Sequence, residues 1–346
     1  ARDRISELER EIFRRVCGEV VVHGGRIMET ASALGVLDAL VSMAQAAAEN
    51  GWVRPLVDSD TVLEILAGRH PVVESSLGPG RFVSNDLDLS NDERQVMIIT
   101  GPNMSGKSTY IRQAAVLVLL AQIGSYIPAT KARIGVVDRI FTRAGLSDDI
   151  SGGQSTFMVE MVETASILNQ ATSRSLAVLD EIGRGTSTYD GLAIARSVAE
   201  HIHNSPKLGC KTLFATHYHE MTELADQLPR THNLRVAVSE EAGEVVFLHQ
   251  IVPGGSDRSY GVHVARLAGM PGAVVSRAWD LLDELENGAK STARPAGLQL
   301  QMPLGDQKAG NELVDELKEL DVANMTPIEA INTLFRLQEQ VKRDEE

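Results

Sequence analysis

The residues with the clearest chemical capacity lie in a glycine-rich run that extends from Gly101 to Thr109. The run fits the phosphate-loop pattern GxxxxGKS, with an apolar run of strand type before it and a helical pattern after it. Its glycines allow backbone N–H groups to converge on one anion at a helix N-terminus, where the potential is positive. Lys107 can reach the outer phosphates, and the Ser108 hydroxyl can bind Mg²⁺. We therefore predict a site for ATP or ADP with Mg²⁺, lined by Gly101, Pro102, Asn103, Met104, Ser105, Gly106, Lys107, Ser108 and Thr109.

Two adjacent carboxylates, Asp180 and Glu181, end the apolar run at residues 176–179. An acidic pair at the end of a buried strand is typical of the Walker B arrangement of nucleotide hydrolases. Asp180 is predicted to hold Mg²⁺, and Glu181 to polarise the attacking water as a general base.

Two weaker motifs become informative because of their positions, one between the phosphate loop and the carboxylate pair and the other after the pair. Ser151 begins an SGGQ run before a helical pattern, and alone this run could be a flexible turn. His217 follows an apolar run at residues 212–215, and alone it could be structural, with His219 as a competitor. The order phosphate loop, SGGQ, carboxylate pair and histidine resembles that of ABC-type ATPases and differs from that of GTPases, kinases and RecA-like motors.

The resemblance to ABC-type ATPases implies roles for the two weaker motifs. In such enzymes the serine and glycine amides of the signature loop bind the γ-phosphate that the opposite subunit holds. Ser151 and Gly153 are thus expected to act in trans, in a homodimer with composite sites. His217 would sense the γ-phosphate and position water, so the catalytic set would be Glu181, Lys107 and His217.

Four longer stretches, at residues 100–113, 155–161, 180–191 and 214–220, resemble the MutS family of DNA mismatch-repair proteins. The resemblance is close over residues 1–286 and looser in the tail. It implies that Phe82 and His249 flank the adenine ring, against the alternative of a core phenylalanine and a surface histidine. It also places Asn103 near the γ-phosphate.

The resemblance implies a domain organisation of five segments. Residues 1–50 would be the end of lever helices, 51–258 the ABC-type ATPase domain, and 259–286 a helix-turn-helix dimerisation element. Residues 287–311 would be a linker and 312–346 a helical tail that joins dimers into tetramers. The second helix of the 259–286 pair is rich in acidic residues, which favours docking on the partner over reading DNA.

The elements that must position these motifs alternate between strand and helix patterns. Strands are predicted at residues 96–100, 140–143, 176–179 and 212–215, with helices at 108–122, 156–170 and 190–203. Such an order predicts an α/β fold, a P-loop NTPase with a mostly parallel sheet covered by helices. A hairpin is predicted from strands at residues 234–238 and 244–251, and helices at residues 1–50, interrupted near His23 and closed at Gly51.

Composition excludes several classes. The chain has 346 residues, 43% hydrophobic and 23% charged, and only two cysteines, Cys17 and Cys210, which excludes a disulfide framework. No uninterrupted apolar run reaches the roughly 18 residues of a membrane span, so we expect no membrane partner and a cytoplasmic, nucleoid-associated protein. The net charge of −14 argues against a main DNA-gripping surface here.

The first residue is Ala and no N-terminal mismatch-reading element is present, so we expect a fragment of a longer protein. Mismatched DNA would bind the full-length protein and not this fragment alone, and the resemblance adds a MutL-type partner. Three alternatives remain: a MutS-like paralogue acting on other DNA structures, an ABC transporter subunit, and a module that binds ATP without hydrolysis. Met104 and the short tail disfavour the first, and the flanking helices disfavour the second. Intact Lys107 and Glu181 disfavour the third.

Overall fold

The structure is a computed structural model that describes residues 2–78, 80–143, 156–241, 244–256 and 260–290. The chain divides into two compact units, Ala1–Asp280 and Leu281–Glu346. Of the second unit, the structure describes only residues 281–290. The predicted tail at 312–346 and most of the predicted linker lie outside the described residues.

Two long helices open the chain, α1 (Arg2–Val22) and α2 (Gly24–Asn50). They are separated at His23, as the sequence predicted. Gly51 ends α2 in a left-handed conformation (φ 62°), and its N–H donates to the Ala47 carbonyl. Only the C-terminal end of α2 contains a buried residue, Ala47, so most apolar side chains of both helices are exposed.

Helix α2 is long and apolar enough, by length and composition alone, to cross a membrane. None of its most apolar 18-residue window is buried. The sequence predicted no span because charged residues such as Arg26, Glu29 and Asp38 interrupt every apolar run. A single helix of this kind is weak evidence for a membrane span, because helices that do not cross a membrane can have the same length and composition.

The rest of the chain forms ten strands and seven further helices within the described residues. A 3-10 turn at His219–Glu223 precedes α7. In chain order the elements are β1 (Leu56–Asp58), β2 (Leu63–Gly68), α3 (Pro71–Leu77), β3 (Asn85–Leu89), β4 (Val96–Thr100), α4 (Lys107–Gln122), β5 (Lys131–Gly135), β6 (Ile140–Arg143), α5 (Thr156–Gln170), β7 (Leu176–Asp180), α6 (Thr188–Asn204), β8 (Lys211–Ala215), α7 (Leu224–Gln227), β9 (Thr231–Glu241), β10 (Glu244–Pro253), α8 (Gly261–Leu267) and α9 (Gly272–Lys290).

The main sheet has six strands in the order β10-β9-β4-β8-β7-β6, and every pair except β9–β10 is parallel. All residues of β4, β7 and β8 are buried, as their nearly continuous apolar sequences require in a sheet covered on both faces. Met97 and Ile99 face a core that α4 completes, and Val96 and Ile98 face one that α5 and α6 complete. The mixed α/β class and the mostly parallel sheet are confirmed.

A second sheet, in the order β1-β5-β2-β3, combines parallel and antiparallel pairs. The sequence pattern predicts two short strands, near residues 53–57 and 62–66, which correspond to β1 and β2, and it predicts neither β3 nor β5. At residues 68–71, where α3 begins, it predicts only a turn. His70 caps α3 by accepting from the Val73 N–H, and Pro71 occupies the first turn, where its missing N–H costs nothing.

The predicted helical pair after the hairpin is present as α8 and α9. Helix α9 continues through Lys290, four residues into the predicted linker that starts at residue 287. Asn287 and Gly288 are residues typical of linkers, and α9 includes both of them.

Candidate functional site

The glycine-rich run joins the end of β4 to the start of α4. Gly101 has a φ of 141°, and a Cβ there would lie 3.3 Å from the Val236 side chain, so only glycine fits. Gly106 has a φ of 107°, and α4 begins at the next residue. The Ser105 hydroxyl donates to the Pro102 carbonyl at 2.7 Å and closes the turn. The predicted strand–loop–helix context of this run is therefore present.

Lys107 is buried, and its ammonium group is folded onto the loop itself. Its Nζ donates to the carbonyls of Gly101, at 2.5 Å, and Pro102, at 2.8 Å. Burial lowers the pKa of Lys107, while the nearby carboxylates of Glu181 and Asp180 oppose that shift. The lysine thus lies within the electrostatic reach of both predicted acids.

Asp180 ends β7 with a buried side chain. Its Oδ1 has no hydrogen-bond partner in the described part of the chain, whereas its Oδ2 lies 3.4 Å from Nη2 of Arg112. Burial raises its pKa, and a hydrogen bond with Ser108 acts in the opposite direction. An unpaired, buried carboxylate oxygen beside a serine hydroxyl fits the oxygen ligands that Mg²⁺ prefers. The two predicted metal ligands are therefore neighbours and could hold this ion.

Glu181 follows Asp180 in a left-handed conformation, with a φ of 54° that a non-glycine residue seldom adopts. Its N–H donates to the Ala215 carbonyl at 2.9 Å, which ties it to the end of β8. Its carboxylate forms a close ion pair with Arg184, and its side chain is only 18% exposed. A backbone in this conformation turns the carboxylate out of the strand direction and toward the cavity that the phosphate loop lines.

His217 lies just beyond β8. The N–H of the preceding Thr216 donates to the Ile99 carbonyl at 3.0 Å, so the ends of β8 and β4 are adjacent. Burial lowers the pKa of His217, and Glu181 is the strongest nearby charge acting against this shift. The competitor His219 has a separate partner, because its Nδ1–H donates to the Ser256 carbonyl at 2.6 Å.

One cavity of about 400 Å³ adjoins the phosphate loop and contains both predicted adenine contacts. His249 has a φ of 54°, and its Nδ1–H donates to the Ser105 carbonyl at 2.8 Å. Phe82 lines the same cavity. The residues of the loop and the carboxylate pair that line it are Pro102, Asn103, Met104, Gly106, Lys107, Ser108, Thr109 and Glu181. The structure therefore brings the predicted base and phosphate positions together.

Sequence reasoning missed three residues of this region. Asn85 donates to the carbonyls of His249, at 3.0 Å, and Val83, at 3.3 Å, and its Oδ1 accepts from the Ile251 N–H. It thereby joins the two walls of the cavity. Arg184 and Arg112 pair with Glu181 and Asp180. Arg112 and Arg184 lie in the MutS-like stretches at residues 100–113 and 180–191, whereas none of the four stretches contains Asn85.

The predicted signature residues, Ser151 and Gly153, lie outside the described residues. Their roles, like those of all the site residues named from the sequence, stay predictions.

Comparison with known proteins gives a consistent result. A family model described as MutS domain V matches residues 97–286, and one described as DNA mismatch repair protein MutS C-terminal region matches residues 307–340. Proteins named DNA mismatch repair protein MutS from Dehalococcoides mccartyi, Chloroflexus aurantiacus and Pelotomaculum thermopropionicum are 54%, 51% and 50% identical to this chain. The matches cover 99%, 98% and 99% of it.

The chain spans 40%, 36% and 39% of the lengths of those three relatives. The domain V match covers more than half of the chain and contains the phosphate loop, the carboxylate pair and His217. By these matches the chain belongs to the MutS family.

Proposed function

We propose that this chain binds and hydrolyses ATP as the ABC-type ATPase part of a DNA mismatch-repair sensor. The observation that carries the proposal is the convergence of a lysine, two carboxylates and a histidine at one edge of the main sheet. Lys107 follows β4, Asp180 ends β7 with Glu181 next to it, and His217 follows β8. The carboxyl ends of these three strands lie side by side. Ligands bind at this edge of open parallel sheets.

The phosphate groups would occupy the loop from Gly101 to Thr109. In that position the folded-back Lys107 ammonium would exchange the carbonyls of Gly101 and Pro102 for phosphate oxygens, which carry full negative charge. Ser108 and Asp180 would hold Mg²⁺, which when bound neutralises charge on the phosphates. Oδ1 of Asp180, which has no hydrogen-bond partner among the described residues, supports this assignment.

The adenine ring would lie between Phe82 and His249. Both line the cavity beside the loop, and His249 is fixed by its bond to the Ser105 carbonyl. A ring held between two flat side chains gains stacking energy without demanding a particular polar pattern.

Glu181 would accept a proton from the attacking water, and His217 would orient that water or the γ-phosphate. The lowered pKa of His217 favours a neutral ring, which can donate from one nitrogen and accept at the other. Arg184 holds the Glu181 carboxylate in the structure. Catalysis therefore requires this arginine to shift or to share the carboxylate.

The complete site would be shared within a homodimer. Ser151 and Gly153 of one subunit would contact the γ-phosphate held by the other, and the helical pair α8–α9 would dock on the partner. The match of residues 307–340 to the MutS C-terminal region supports an oligomerisation role for the tail and a tetramer. Mismatched DNA and a MutL-type partner would be bound by the longer protein, in the bacterial cytoplasm and near the nucleoid.

The test of this proposal is ATP turnover by the chain and by Glu181→Gln, with nucleotide binding measured in parallel. Glu181→Gln should bind ATP normally and hydrolyse it about 10²–10⁴-fold more slowly, the usual contribution of a general base. Glu93→Gln is the matched control, since Glu93 is exposed and precedes the opposite end of β4. Equal turnover in Glu181→Gln and the unsubstituted chain would refute the assignment.

A further inference from the structure

Gly183, two residues beyond Glu181, is held at both of its polar backbone groups. Its N–H donates to Oε1 of Glu160 at 2.5 Å, and its carbonyl accepts from the Tyr218 hydroxyl at 2.9 Å. Both side chains are buried, each with 4% exposure. Losing these two buried hydrogen bonds to the backbone of one residue is costly, because each broken bond leaves an unsatisfied polar group.

Glu160 is itself fixed by a buried cation. Its Oε2 lies 3.3 Å from Nη2 of Arg143, which is 5% exposed and also lies 3.2 Å from Oε2 of Glu163. Arg143 ends β6 and Glu160 lies on α5, so the ion pair joins a strand of the main sheet to a helix that covers it. This buried ion pair restrains the orientation of the Glu160 carboxylate.

The backbone around Gly183 has no room to shift toward its neighbours. Gly183 has a φ of 88°, and a Cβ on it would lie 2.5 Å from the Gly191 carbonyl oxygen. A Cβ on Gly185 would lie 3.0 Å from Cβ of Phe157 on α5. Residues 183–185 therefore pack closely against both α5 and α6. The hydrogen bonds to Glu160 and Tyr218 further restrain the backbone of Gly183.

We propose that Glu160 and Tyr218 are positioning residues that hold Glu181 in its working orientation through Gly183. This inference rests on the proposed ATPase function. Glu181 has an unfavourable backbone conformation, and among the described residues the partner of its carboxylate is an exposed arginine. Its side-chain contacts therefore do not fix the carboxylate for reaction with water. The two hydrogen bonds from Glu160 and Tyr218 to the backbone of Gly183, here called the clamp, supply that constraint. The ion pair with Arg143 holds Glu160 in place.

The test compares four variants in ATP turnover, in ATP affinity and in thermal unfolding. Tyr218→Phe removes only the hydroxyl and keeps the ring that lies 4.1 Å from the His217 ring. Glu160→Ala removes the acceptor of the Gly183 N–H, and Glu160→Gln restores an acceptor oxygen. Tyr189→Phe is the matched control, because Tyr189 is an exposed tyrosine of the neighbouring helix α6.

We expect Tyr218→Phe and Glu160→Ala to lower kcat by about 10-fold or more, as small misplacements of a catalytic group do. KM and the ATP dissociation constant should stay within about twofold, because the phosphate loop is untouched. Glu160→Gln keeps an acceptor for the Gly183 N–H but loses the ion pair with Arg143, so its kcat should lie between that of Glu160→Ala and that of the unsubstituted chain. Tyr189→Phe should leave kcat unchanged. If Glu160→Ala does not fold, Tyr218→Phe and Glu160→Gln carry the comparison.

A double-mutant measurement separates positioning from general destabilisation. In single-turnover hydrolysis, Tyr218→Phe should cost nothing further once Glu181 is already Gln, since the group it positions is gone. The same loss in both backgrounds, a rise in KM that matches the fall in kcat, or unchanged kcat in the single variants would each overturn the inference. If Glu181→Gln itself leaves turnover unchanged, the proposed function fails and not only the clamp.

Discussion

Lys107 and Asp180 carry opposite charges, and burial shifts their pKa values so that both charged forms are disfavoured. Among the described residues, Lys107 is buried with only loop carbonyls as hydrogen-bond acceptors, and Asp180 is buried with one oxygen that has no partner. Neither charge is therefore fully balanced by an opposite charge. Phosphate oxygens and a divalent cation would compensate them. At the residue scale, these two groups support the proposal that the site binds the nucleotide and the ion together.

The first residue-scale prediction concerns Lys107. Replacing it with Met keeps the stem and removes the charge, so ATP affinity should fall by about 100-fold, in line with the loss of a charge-assisted contact in a buried site. Isothermal titration with ATP and Mg²⁺ measures this change. Lys131→Met, on an exposed lysine of β5, should bind ATP as the unsubstituted chain does. Equal affinity in both variants would contradict a phosphate-binding role for Lys107.

The second residue-scale prediction is a pH dependence set by His217. Burial lowers its pKa below the ordinary value of 6.5, so the ring is neutral at pH 7 and gains its proton only at lower pH. We expect turnover to hold steady from pH 7 upward and to fall as pH drops through that lowered pKa. His217→Gln, which cannot be protonated, should turn over ATP more slowly and lose this acid limb. An acid limb that is identical in the variant would assign it to another group.

The site residues differ in how well sequence could reveal them. Lys107, Asp180 and Glu181 stand in runs whose spacing is dictated by local chemistry, so sequence placed them on the correct elements. Asn85 forms hydrogen bonds with His249 and Ile251, which lie 164 and 166 positions later in the chain. Only the folded chain reveals such contacts. Phe82 and His249 were paired by family resemblance and not by any local pattern.

At the scale of elements, long apolar runs determined what sequence could predict. The segment VMIIT of β4 is buried at every position, so its burial is visible in its composition. The strands β3 (NDLDL) and β5 (KARIG) are short and half polar, and both are strands because β2 pairs with each of them. Helix α3 was missed because seven residues hold too little periodicity to outweigh the flanking glycines.

An element-scale prediction concerns the contact between α6 and the segment after β7. A Cβ at Gly191 would lie 2.2 Å from both the Gly183 carbonyl oxygen and the Tyr218 hydroxyl oxygen. Gly191→Ala should therefore lower the free energy of unfolding by about 1–3 kcal/mol through overpacking. Gly35→Ala is the control, because a Cβ there meets nothing within 4 Å and alanine favours the helix. Denaturant unfolding measures the free energy of unfolding of both variants. A Gly191→Ala variant as stable as the unsubstituted chain would contradict the close packing.

At the scale of the whole molecule, the exposed apolar faces of α1 and α2 contrast with the closed core of the main sheet. The chain spans 36–40% of the lengths of the three MutS relatives named above. The net charge of −14 agrees with the proposal that segments outside this chain make the main contacts with DNA.

The central claim is that two chains share each ATPase site, and mixing inactive variants tests it most directly. Lys107→Ala disables the nucleotide loop of its own chain, and Ser151→Ala disables the signature that serves the partner. A heterodimer of the two keeps one intact site, so the mixture should regain up to about a quarter of normal turnover per chain if subunits exchange freely. Mixing Lys107→Ala with Glu181→Gln should regain none, because both act in cis. No recovery in the first mixture at concentrations where dimers form, or equal recovery in both, would contradict the shared site.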